Sequence, residues 1–210
     1  DKAAPAARRA GGGAISRNTL VRVFTILTVS TICGGIIFNA TTVSMPKVFD
    51  ERLTALTQTT LGIGVLVSLV YTFAAMAQLI VGYLIDRHSI RSVFVPVVAM
   101  QAPLLFLAGS MENYMMLAIA FAMMFFVFGQ IPINDAMVAA YSDEKWRSRA
   151  FAVRYVVSFG ASACSVPLVA YVYRQTGDFK YLFFVLAGMA CAMLVAAVCL
   201  PPQVQKRAAG

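Results

Sequence analysis

The stretch GYLIDRHSIRSVF, residues 82–94, sets Asp86, Arg87, His88 and Arg91 between two long apolar runs. It is the densest mixed-sign charge in a chain that is 60% hydrophobic and only 12% charged. A soluble domain carries about 25% charge, so this chain holds more apolar sequence than one aqueous core could bury. The medium around these side chains is therefore lipid, and the quoted stretch is a connection between two membrane spans.

The neighbouring runs have the length that this requires. A helix needs roughly 20 residues to cross a hydrocarbon core of about 30 Å. Six candidate spans are legible, at 20–44, 58–84, 93–110, 115–140, 151–173 and 181–200. The first lies too far in and runs too long for a signal peptide, and has no clear small-residue cleavage site. The third is the weakest, interrupted by Pro96, Gln101 and Pro103. Residues 1–18 are rich in Ala, Gly and Arg without apolar periodicity and read as a flexible linker, with 19–200 as the bundle and 201–210 as a tail.

The net charge of +8 first invites a nucleic-acid reading. Its distribution favours another. With the N-terminus inside, six spans return the C-terminus to the same side. Inner segments then hold twelve of the 17 Lys and Arg, outer segments four, and Arg154 lies within a span. That asymmetry is the positive-inside pattern, which expects both termini in the cytoplasm and no nucleic-acid partner. The four cysteines, Cys33, Cys164, Cys191 and Cys199, fall within spans and form no CxxC pair, so they read as packing residues. No cofactor or metal motif is present, and no span holds a histidine or a pair of carboxylates that would make a membrane enzyme.

Six spans with the chain reversing after the third give two triplets of opposite orientation, the layout of an inverted repeat. No residue-level similarity links the triplets, so this expectation rests on span count.

The opening stretch also resembles the loop signature of the major facilitator superfamily, which runs Gly, three residues, Asp, Arg or Lys, any residue, Gly, then two basic residues. Gly82, Asp86, Arg87 and Arg91 match; Ser89 stands at the second glycine and Ile90 at one basic position. The resemblance covers residues 20–200 and implies one six-helix half of a larger fold. The degraded signature and the absence of an arginine in the middle of the fourth span point to the C-terminal half. It implies alternating access around a central site, with a second six-helix half from the same parent chain or another subunit. The function expected is secondary active transport of a small solute, with proton coupling open, in the plasma (inner) membrane. The alternative is a six-span channel or pore subunit acting as an oligomer, although no selectivity-filter motif is legible.

Ionisable groups within a span are costly and mark function. Asp135 lies about 9 Å in from the inner end of the fourth span, and Arg154 roughly 6 Å into the fifth, at 1.5 Å per residue. Similar depths on consecutive spans predict that the two interact, directly or through Asp86 and Arg91. With Gly82, which permits close helix approach, and Arg87, they form the expected cytoplasmic gate network. The resemblance assigns the first, second, fourth and fifth spans to a central cavity. On it Asn39, Tyr71, Gln78, Gln130 and Asn134 are the candidate substrate residues. Asn39 is read near the outer end of its span. The run GQIPINDA, residues 129–136, is expected to disturb the fourth helix. The small residues Ser158, Gly160, Ser162 and Ser165 are read as a packing face.

Overall fold

The computed structural model describes residues 17–142, 144, 146 and onward to 201. The linker expected over 1–18 therefore lies outside the described residues except for its last two, which are helical, and so does the tail from 202. Seven helices are present among the described residues: α1 (Arg17–Arg52), α2 (Thr60–Arg87), α3 (Ile90–Ala108), α4 (Asn113–Tyr141), α5 (Arg147–Ala163), α6 (Ser165–Thr176) and α7 (Lys180–Val198). Together α5 and α6 make one span, so six segments are long and apolar enough to cross a membrane.

Proline acts differently at different places. The fourth helix runs unbroken through Pro132, and α3 through Pro96 and Pro103, contrary to the interruptions expected. The α3 prolines point outward, so their rings displace no packed neighbour. The fifth span, expected to be continuous, is the one that breaks. Pro167 has no N–H to give the Ala163 carbonyl, and its ring crowds that carbonyl. The helix stops at Ala163 and restarts at Ser165, with the Cys164 amide turned to the Ala161 carbonyl at 3.1 Å.

Helix α1 extends to Arg52, well past the expected end, and carries Pro46 inside it. Its last residue does more than end it. The half-buried Arg52 donates to the Ala108 carbonyl at the end of α3 and to Asp178 before α7, both at 2.7 Å. Three helix ends are thereby tied together at one face of the bundle.

The packing has internal symmetry. Helix α1 packs on α2, α4, α5, α6 and α7; α2 on α3 and α4; α3 on α4 and α7; α4 on α5; and α6 on α7. Exchanging the first span with the fourth, the second with the fifth and the third with the sixth turns this set of neighbours into itself. The fold is thus all-helical, with two inverted three-helix repeats meeting at the α1–α4 contact. The repeat that sequence similarity left invisible is carried by geometry.

The 82–94 connection is a tight turn. His88 is extended, and its amide closes α2 on the Leu84 carbonyl at 2.8 Å. Ser89, at the glycine position of the signature, caps α3 by accepting from the Ser92 amide at 3.2 Å. Asp86 and Arg87 are exposed, and Arg87 lies over the Tyr83 ring at 4.3 Å. A side chain at Gly82 would meet nothing within 4 Å, so the close approach expected there is not made within the described residues. Of the cysteines only Cys33 is half-buried; the other three are exposed, on surfaces that this chain leaves uncovered, and so do not pack its core.

Candidate functional site

Helices α1, α4 and α5 border a groove of about 200 Å³. Its lining combines the aromatic Phe38, Tyr155 and Phe159 with the polar Thr31, Asn39, Gln130, Asn134, Arg154, Ser158 and Ser162. Polar side chains at this depth are expensive unless bonded to one another or facing a polar path.

Two of them are held by a residue that sequence reading missed. Fully buried Ser30 donates from Oγ to Asn134 Oδ1 at 2.8 Å. Gln130 Nε2 donates back to Ser30 Oγ at 3.3 Å and reaches Met193 Sδ on α7 at 2.9 Å. One serine thus fixes both α4 amides and ties α1 to α4. The only sequence signal was a hydroxyl pair, Ser30-Thr31, in an apolar run. Gly34 makes room for this crossing, because a Cβ there would lie 2.5 Å from Gln130 Nε2. Gly35 lets α5 come close in the same way, since a Cβ at that position would lie 3.3 Å from the Ser158 carbonyl oxygen. Ser158 and Ser162, read as packing residues, therefore both pack and line the groove.

Arg154 and Asp135 form an ion pair joining α5 to α4. The helix bounds explain why they meet: Asp135 is six residues before the end of α4 and Arg154 seven after the start of α5. Arg154 is 8% exposed and its carboxylate partner 38%. Removing one member of such a pair strands a charge at a cost of about 3–5 kcal/mol when burial is complete. Among the described residues, neither Asp86 nor Arg91 joins this pair, so the contact is direct.

The other expected cavity residues separate. Asn39, Gln130 and Asn134 line the groove. Asn39 sits thirteen residues before the end of α1, deeper than the outer position expected for it. Tyr71 is not in the groove: its hydroxyl donates to the Thr42 carbonyl at 2.7 Å and its ring stacks on Phe128. That bond staples α2 to α1. Gln78 is half-buried on α2 and is also outside the lining. No group of three or more His, Cys, Asp or Glu assembles among the described residues.

A six-span all-helical unit with inverted repeats and a polar groove between its first, fourth and fifth spans defines a class of membrane domain. The family model of the Major Facilitator Superfamily matches residues 16–209, and the chain belongs to that superfamily. Its fold is similar to the crystal structure of a bacterial homologue of the human lysosomal transporter Spinster, in an inward-facing and unoccupied conformation. The TM-score is 0.65 at 10% identity, over 91% of this chain and 45% of that one. The chain therefore spans less than half the length of that transporter. No match is found among curated proteins.

Proposed function

We propose that this chain supplies one half of a secondary transporter that moves a small solute by alternating access. The observation that carries this reading is the polar groove of α1, α4 and α5, whose lining includes Arg154 of the Asp135–Arg154 pair, on a fold of this superfamily. A second six-helix half, from the same parent chain or another subunit, would face the groove. The end bearing Arg87, Arg91 and Trp146 would be cytoplasmic, with both termini there, in the plasma (inner) membrane.

In this reading Asp135 and Arg154 are the part of the inner gate that lies within this chain. Holding α4 to α5 at their cytoplasmic ends closes the groove from that side. Asp86, Arg87 and Arg91, on the turn that follows Gly82, are left for contacts with the second half.

Charge-neutral Asp135→Asn tests the gate. In a background without the four native cysteines, Ser158→Cys reports groove access to a membrane-impermeant maleimide applied from the cytoplasmic side. Labelling several-fold faster with Asp135→Asn is the expected outcome. An unchanged rate would remove the pair from the gate.

A further inference from the structure

We infer that the solute carries an oxyanion, a carboxylate or a phosphate, and that Arg154 is its anchor. This deepens the transporter reading and rests on it.

Arg154 is the one charged side chain in the groove lining among the described residues. Its counter-ion Asp135 is not part of that lining. The groove therefore meets the cation and not the acid. Arg154 Nε is buried with no hydrogen-bond partner among the described residues. Guanidinium presents five donors in a rigid fork suited to planar or tetrahedral oxyanions, and Asp135 uses only part of that capacity.

The surroundings agree. Thr31, 3% exposed, lines the groove with a hydroxyl that bonds to nothing described. Asn134, Ser158 and Ser162 add an amide and two hydroxyls to the same lining. No acid in the lining would receive a cation, and a cation there would face Arg154 in a medium that screens poorly. A neutral polyol would leave the unpaired donors of the guanidinium unused. An oxyanion satisfies them and competes with Asp135 for the same cation.

That competition gives the inference a signature with opposite signs. Asp135→Asn removes the resident competitor and strengthens anion binding. The double variant Asp135→Asn/Arg154→Gln removes both charges, strands neither, and abolishes binding. The full-length purified protein is titrated with succinate, lactate and inorganic phosphate, each as a thermal-shift isotherm, with glycerol and choline as neutral and cationic probes. The expected result is saturable binding of at least one of the three anions, about tenfold tighter with Asp135→Asn and absent in the folded double variant. Which anion responds distinguishes carboxylate from phosphate chemistry. Binding of none of the three, binding unchanged in the double variant, or equal binding of glycerol or choline would overturn the inference. The transporter reading is tested separately by groove accessibility, which needs no ligand, so either can fail alone.

Discussion

At Gly34 the absence of a side chain decides where Gln130 can lie in the groove lining. Gln130 crosses from α4 to Ser30 over that position. Gly34→Ala should push the amide off Ser30 and Met193 and cost about 1 kcal/mol, read as a lowered Tm in detergent. Ser30→Ala removes the bond to Asn134 and should cost about 0.6 kcal/mol, the average for an interhelical hydrogen bond in a membrane protein. If Gly34→Ala leaves Tm unchanged while Ser30→Ala lowers it, the glycine is not what positions Gln130. Residues such as Asp135 and Arg154 were legible because charge is rare within a span and their depths matched. Ser30 was not, because a serine that bonds to another helix and one that bonds to its own backbone read alike in sequence. The contact of Tyr71 was hidden for the same kind of reason: an amphipathic ring in a span says nothing of the Thr42 carbonyl that takes its hydroxyl.

Among the elements, the clasp at the end of α1 carries a pH dependence. Burial pushes the Asp178 carboxyl up, but the Arg52 hydrogen bond and charge, with the Lys180 and Phe179 amides, outweigh it, and its pKa is lowered. A carboxylate held below its ordinary value of about 4 stabilises the fold above that pH. The contribution fades as pH falls through the lower folded value. Asp178 is 49% exposed, so after solvent screening its contribution is about 0.5 kcal/mol. Asp178→Asn should lower Tm slightly at pH 7 and flatten the loss of stability on acidification below about pH 4. Equal acid sensitivity in both proteins would assign it to other groups. Element type was well marked in the sequence by apolar length, and each of the six expected spans falls on helix, although α1 runs on to Arg52. Helix continuity was not. The 129–136 run was expected to disturb α4 and does not, whereas the fifth span, expected to be continuous, breaks ahead of Pro167. Local composition alone does not decide this, because a proline's effect depends on whether neighbours satisfy the freed carbonyl.

On the scale of the whole molecule, the symmetric packing and the family match agree on one architecture, a six-span unit of a superfamily fold. The fifth span is the least buried of the six within this chain. Exposed Val153, Val156 and Phe159 lie along it. Such a surface borders either lipid or the second half proposed above. An antibody against residues 1–18 applied to source membranes should detect either a band about twice the 22.6 kDa of this chain, with both halves in one polypeptide, or a 22.6 kDa band that crosslinks to a partner. A band at the 22.6 kDa of this chain, with no partner on crosslinking, would leave the groove without its second wall.

The most direct measurement is two-sided accessibility at Ser162, a groove residue that takes no part in the Asp135–Arg154 pair. Ser162→Cys, in the full-length protein without its native cysteines, is labelled by impermeant maleimide in right-side-out and in inside-out vesicles. Alternating access predicts reaction from both sides and, when Asp135→Asn weakens the inner gate, a faster rate from inside with a slower rate from outside. Reaction from only one side under every condition, or rates that rise together on both sides as in an open pore, would contradict it.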